Sequence, residues 1–170
     1  MIWFTADWHL DHANILVYEP ERPWTIISKM NGGLINRYNS KVQKDDTAYF
    51  LGDLSLKGPE QWPFYTRLLR NLNGHKHLIL GNHDKMNPFL YVECGFESVH
   101  TALEVEEFIL VHDPAVSVVN KNRKWLVGHI HSLFKHQKNC LNVGVDVWDY
   151  FPVSINQCRE VFVDTTQNNI

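Results

Sequence analysis

Cysteine is scarce. The chain has three, Cys94, Cys140 and Cys158, an odd number with no two close together. That excludes a disulfide framework and a cysteine-type zinc site, and it fits a cytoplasmic compartment. Long apolar runs are also missing. Stretches such as Phe108–Val111 fall far short of the roughly 20 residues that a membrane helix needs. Met1–Ala6 carries no basic leader and no small-residue cleavage site, so no signal peptide is expected. Positive charge is not in excess: the formal net charge is -3, unlike that of proteins that coat duplex nucleic acid. Repeats, low-complexity tracts and linkers are absent. With 170 residues, 44% hydrophobic and 21% charged, what remains is a single globular domain over residues 1–170 with a real core.

Histidine is the exception to this plainness, with ten residues. It is the commonest metal ligand and a general acid–base, so the positions of these residues matter. Ile2–Ala6, Ala48–Leu51 and His77–Leu80 read as strands, and Ile26–Tyr38 reads as a helix through its apolar spacing, despite Gly32 and Gly33. Gly58–Pro59 opens a helix that runs to about Leu72. Val99–Leu103, Glu107–Val111, Ala115–Val119 and Trp125–Val127 are β-rich, which predicts hairpins with Asn120–Lys124 as a polar turn. Cys140–Val147 is a further strand. Ser154 and Gln157 form a capping box at the start of a last helix, and the end at Thr165–Ile170 is polar and frayed. The order is βαβα first and antiparallel β later, which implies an α/β fold of two packed sheets with helices outside.

The chemistry collects where apolar strands stop. Their ends read Asp7-Trp8-His9, Gly52-Asp53, Gly81-Asn82-His83-Asp84, His112-Asp113 and Gly128-His129-Ile130-His131. Ligand sites in open α/β sheets lie at the carboxyl ends of strands, so five adjacent ends would bring these side chains together. The oxygen donors Asp7, Asp53 and Asn82 and four imidazoles, without thiolate, suit Mn, Fe, Zn, Co or Ni better than Ca. Seven ligands are too many for one tetrahedral ion and about right for two with a shared carboxylate, a pairing that promotes in-line displacement at phosphorus. The Asp7-x-His9 and His129-x-His131 spacings would let both members of each pair face one cluster if the backbone there is extended. Gly52, Gly81 and Gly128 would let the backbone come close to the ligands.

The ordered set Asp-x-His, Gly-Asp, Gly-Asn-His-Asp, His and Gly-His-x-His across residues 5–131 resembles the calcineurin-like metallophosphoesterase superfamily. Asp7-Trp8-His9-Leu10-Asp11-His12, Glu21-Arg22-Pro23-Trp24 and Asn142-Val143-Gly144-Val145-Asp146 look like its small single-domain bacterial and phage branch. The resemblance implies a four-layer α/β/β/α sandwich of two mixed β-sheets. It also implies two divalent ions, manganese first, with Fe, Zn, Ni, Co or Mg as alternatives. Asp7, His9 and His131 would hold one ion and Asn82, His112 and His129 the other, with Asp53 bridging. His83 would protonate the leaving oxygen, with Asp84 orienting it. The implied activity is hydrolysis of a phosphate mono- or diester.

Beyond these, His12 and Arg22 are candidate substrate-phosphate contacts, since arginine is a natural bidentate phosphate clamp. Asp113 is either a support for a ligand histidine or a loop residue. His75, His77, His100 and His136 read as structural. Lys121–Lys124 and Lys135–Lys138 read as solvated turns, and Trp148, Tyr150 and Phe151 as packing. The expected substrate is a small phosphorylated molecule or nucleotide. The alternatives are a nuclease acting on single-stranded or short nucleic acid and, more remotely, a non-catalytic metal-binding scaffold. Leu56 and Lys57, where serine/threonine phosphatases of this superfamily carry Asp and Arg, count against a protein phosphatase.

Overall fold

A computed structural model describes residues 1–56 and 59–167. Gly58, expected to open a helix, and residues 168–170 of the expected frayed end lie outside the described residues. The first half is β1 (Ile2–Thr5), α1 (Ile15–Tyr18), α2 (Ile27–Lys41), β2 (Thr47–Phe50), a 3-10 turn (Pro59–Gln61), α3 (Trp62–Asn71), β3 (His75–Ile79), α4 (Pro88–Cys94) and β4 (Ser98–His100). The second half is β5 (Ala102–Val105), β6 (Phe108–Val111), a 3-10 helix (Pro114–Val119), β7 (Lys124–Val127), β8 (His136–Gln137), β9 (Cys140–Asn142), a 3-10 turn (Val145–Val147), β10 (Val153–Ser154) and α5 (Ile155–Gln167).

Two five-stranded mixed sheets result, in the orders β10-β1-β2-β3-β4 and β5-β6-β7-β9-β8. In the first, β1 to β4 are parallel and β10 is antiparallel to β1. The register sets Thr5 beside Phe50 and Phe50 beside Leu78, so three strands end side by side. In the second sheet β6, β7 and β9 are parallel. This corrects the expected run of hairpins: β5–β6 is a hairpin, but β7 returns parallel to β6. Its crossover is the 3-10 helix at Pro114–Val119, a segment expected to be a strand. Val99–Leu103 also divides, with β4 closing one sheet and β5 opening the other.

Period-two alternation builds the core. Phe4, Leu51 and Ile79 from the first sheet meet Phe108, Leu110, Leu126 and Leu141 from the second, with Cys158 and Phe162 of α5 beside them. The opposite face of the first sheet, through Ala48, Phe50 and Leu78, packs on Met30, Leu34 and Tyr38 of α2, Leu68 and Leu69 of α3 and Tyr91 of α4. Each such large side chain stabilises the fold by about 1.5–3 kcal/mol when fully buried. On the second sheet's outer face Val111, Trp125, Val127 and Cys140 form a smaller cluster, and Ser117 of the 3-10 helix accepts from the Cys140 thiol at 2.9 Å. The fold is therefore α/β: two mixed sheets face to face, flanked by helices. The capping box is present, with Gln157 N donating to Ser154 Oγ at 3.3 Å and Ser154 N to Gln157 Oε1 at 3.0 Å.

Candidate metal centre

Five parallel strands, β1, β2, β3, β6 and β7, deliver the candidate ligands within four residues of their ends. The loops are held in step by backbone bonds: Asp7 N donates to Gly52 O at 3.1 Å, His9 N to Asp53 O at 3.0 Å and Gly128 N to His112 O at 3.0 Å. The sheets join at this point, where Ala6 bridges Gly144. Among the described residues two groups have donor atoms close enough to share a metal ion: Asp7, His9 and His131, and Asp53, His112 and His129. Asn82 completes the second group, its Oδ1 lying 3.0 Å from both His112 Nε2 and His129 Nδ1. Asp53 spans the two, its Oδ2 standing 3.4 Å from His112 Nε2 and 3.6 Å from His9 Nε2.

The backbone is strained where these groups sit. Asp7, His9, Asp53, His129 and His131 all have left-handed φ, between 48° and 75°. Such conformations cost on the order of 1–3 kcal/mol each and collect at functional sites. They also overturn the extended-segment explanation of the Asp-x-His and His-x-His spacings, because both members of each pair turn left-handed. Gly52, with φ +86°, lies so close to its neighbours that a Cβ there would sit 2.5 Å from His112 Nδ1 and 2.6 Å from Gly81 Cα.

The donors suit a cation. His9 is buried with neither ring nitrogen hydrogen-bonded, an arrangement that is costly for a polar group unless something else pairs with it. Burial holds the His9 imidazole well below its usual pKa, leaving one ring nitrogen unprotonated and able to ligate. Burial pushes the Asp7 carboxyl up to about 7, although His112 and His131 pull it the other way. Burial acts against charge on both members of the Asp53–His112 pair, but their mutual hydrogen bond and attraction win, lowering Asp53 and raising His112. Two buried carboxylates beside a neutral, unpartnered imidazole form a donor set that divalent cations would neutralise.

Comparison with known proteins agrees. The family model for calcineurin-like phosphoesterases matches residues 1–155. The chain belongs to that family. This calcineurin-like phosphoesterase is 33% identical over 165 residues to an uncharacterized protein of Methanocaldococcus jannaschii, covering 91% of this chain and 87% of the relative. It is 28% identical over 181 residues to the gene 66 protein of Mycobacterium phage L5, covering 86% of each. A protein of unknown function from Aquifex aeolicus shares the fold, with a TM-score of 0.74 at 22% identity over 95% of this chain and 98% of the other. Membership implies metal-dependent phosphoester hydrolysis, and the two groups of candidate ligands agree with a family that generally binds divalent metals.

The structure rearranges several supporting roles. Asp84 Oδ2 accepts from the backbone amides of Asp53 and Gly81, both at 2.8 Å, and so fixes the turn that presents Asp53. Arg22 is not a phosphate clamp. Its side chain is fully buried and all five N–H groups are engaged, by both Asp146 oxygens, the carbonyls of Asp7 and Trp8, and Met30 Sδ. Asp146 in turn accepts from His131 Nδ1 at 2.9 Å. Both residues lie in segments that carry the family resemblance, but 124 positions separate them and nothing local in the sequence pairs them.

His83 is half-buried beside the centre, its Nε2 3.9 Å from Asp53 Oδ2 and its ring centroid 5.5 Å from that of His9. His12 lies on the same side, 5.6 Å from the His9 ring, with Nδ1 buried and unpartnered. Asp113 caps the 3-10 helix by accepting from Ala115 N at 2.8 Å. His75 pairs with Glu97, and His77 and His100 with Ser98, while His136 packs against Phe162. The expected aromatic cluster is packing: Lys135 Nζ sits 3.7 Å above Trp148, and the Tyr150 hydroxyl donates to Glu21 O. No helix among the described residues is long and apolar enough to cross a membrane.

Proposed function

We propose that residues 1–170 form a single domain that hydrolyses a small phosphate mono- or diester with two divalent ions, manganese first and Fe, Zn, Ni, Co or Mg as alternatives. Asp7, His9 and His131 hold one ion, Asn82, His112 and His129 the other, and Asp53 bridges them. The observation that carries this reading is the position of Asp53, within 3.6 Å of a ring nitrogen in each group. When bound, the ions supply an activated water and charge stabilisation at the phosphoryl oxygens.

The chain's own residues supply the rest. His83 carries a proton toward the leaving oxygen from Nε2, the nitrogen facing Asp53, as general acid. Asp84 keeps Asp53 in place through its two backbone bonds. His12, on the same side as His83, contacts the substrate phosphate. A cleft of about 460 Å³ adjoins Asn82, His112 and His129 and is lined by Leu80, Thr101, Ala102, Val111, Asp113 and Val116. Apart from His112 and His129 of the metal group, the lining carries no lysine, arginine or histidine, which supports a compact organic group there over a polynucleotide backbone. The three cysteines are buried and free, which supports a reducing, cytoplasmic setting.

A Mn²⁺-supported hydrolysis panel tests the reading. It compares bis(p-nitrophenyl) phosphate, p-nitrophenyl phosphate, cyclic nucleotides and a short single strand. Turnover confined to the small esters is expected, whereas preference for the strand would replace this reading with a nuclease.

A further inference from the structure

Among the described residues, Arg22 and Asp146 are two buried charged groups beside the centre that the proposed chemistry does not use. The Arg22 side chain is fully buried and that of Asp146 is 3% exposed. Arg22 Nε donates to Asp146 Oδ1 at 2.7 Å and Nη2 to Oδ2 at 2.9 Å. Nη2 also donates to Asp7 O at 2.8 Å and Nη1 to Trp8 O at 3.0 Å. These two carbonyls belong to the turn whose flanking residues, Asp7 and His9, are left-handed at φ 59° and 51°. Asp146 Oδ2 also accepts from His131 Nδ1 at 2.9 Å. One guanidinium thus reaches all three members of the Asp7–His9–His131 group, two through the backbone and one through a carboxylate.

The second group is held by other residues: Asp84 fixes the turn of Asp53, and among the described residues no hydrogen bond runs to this group from Arg22 or Asp146. His112 Nδ1 is 2.7 Å from the Leu51 carbonyl, a neutral acceptor. An Nδ1–H bound to Asp146 leaves Nε2 as the ligating nitrogen of His131, and a carboxylate behind a ligand histidine fixes its orientation and raises its basicity. Only a planar fork with five donors meets these acceptors together; a lysine ammonium has three donors on one atom.

We infer that Arg22 and Asp146 are positioning residues for the first metal group alone, setting the Asp7–His9 turn and the His131 ring. This rests on the two-ion reading above. Neither residue contacts substrate.

Metal-stripped protein is titrated with Mn²⁺ by calorimetry, and the binding steps are compared between wild type, Asp146→Asn and Arg22→Lys. One step is expected to weaken by about 10–100-fold and the other to stay as in wild type. Asp146→Asn added to His131→Ala is expected to cost less than in wild type, because only its hold on Arg22 is left to lose, whereas added to His112→Ala it keeps its full effect. Equal weakening of both steps, no weakening, or the same added loss in both backgrounds would overturn the inference. A second readout needs no variant. In the zinc-loaded wild type, long-range ¹H–¹⁵N correlation is expected to show His131 protonated at Nδ1 and metal-bound at Nε2, and metal at Nδ1 would overturn it. A wild type that binds no ion defeats the two-ion reading itself, an outcome distinct from two steps that the variants leave unchanged.

Discussion

Gly52→Ala places the coupling between fold and centre under direct strain. Gly52 joins the end of β2 to Asp53 at φ +86°, and an added Cβ would lie 2.5 Å from His112 Nδ1, 2.6 Å from Gly81 Cα and 2.7 Å from Gly81 N. Two of these atoms are backbone, and His112 is tied to the Leu51 carbonyl, so nothing nearby yields cheaply. A left-handed alanine costs about 1–2 kcal/mol and overpacking about 1–3 kcal/mol, which together give about 2–5 kcal/mol. For a domain of this size each kcal/mol lowers Tm by about 2–4 °C, so a drop on the order of 10 °C is expected. Urea unfolding followed by circular dichroism should show a lower midpoint with an unchanged slope. Gly32, in α2 with nothing within 4 Å of a built Cβ, is the control: Gly32→Ala should stabilise by about 0.5–1 kcal/mol. The reasoning is refuted if Gly52→Ala unfolds within about 0.5 kcal/mol of wild type, the range of ordinary surface substitutions.

Three further outcomes follow from particular contacts. Asp46 accepts from the Met1 ammonium at 2.7 Å, Trp3 Nε1 at 2.9 Å and Gln43 N at 2.9 Å; partial burial pushes its carboxyl up, but these bonds outweigh it and hold it below the ordinary range. The stability this gives is present at neutral pH and lost as pH falls through the lowered value. Asp46→Asn should therefore cost about 1–2 kcal/mol in urea melts at pH 7 and progressively less as the pH falls below the ordinary carboxylate range. Saturating Mn²⁺ at about 100 times its Kd should stabilise the chain by about 2.7 kcal/mol for each ion bound over a chelated sample, read as a rise in Tm; an unchanged Tm would count against folded-state metal binding. His83→Ala should lower kcat by about 10²–10⁴-fold with metal content unchanged, and full activity would remove it as the general acid.

The sequence shows the centre better than it shows the fold around it. Strand ends followed by Asp, Asn or His are local patterns, and the parallel register turns them into neighbours. Whether β7 pairs parallel or antiparallel to β6 is decided by tertiary packing, so the β-rich second half reads as hairpins. The segment after His112 carries its own warning: Asp113 and Pro114 are an N-cap and first-turn pair, outweighed in the reading by four β-branched or small apolar residues. Asn87-Pro88 opens α4 in the same way, with Asn87 Oδ1 accepting from Phe89 N at 3.0 Å. Arg22 and Asp84 were legible as polar residues near motifs but not as struts, because their partners are backbone carbonyls, backbone amides and a distant carboxylate.

The central claim is that Asp53 links two metal-binding groups into one hydrolytic centre. Its most direct test is turnover of bis(p-nitrophenyl) phosphate by metal-stripped protein reloaded with Mn²⁺, wild type against Asp53→Asn. Wild type is expected to turn over only after reloading, and Asp53→Asn to remain near the uncatalysed rate. Equal turnover by the two proteins, or none by either on this or any other phosphoester, would contradict it.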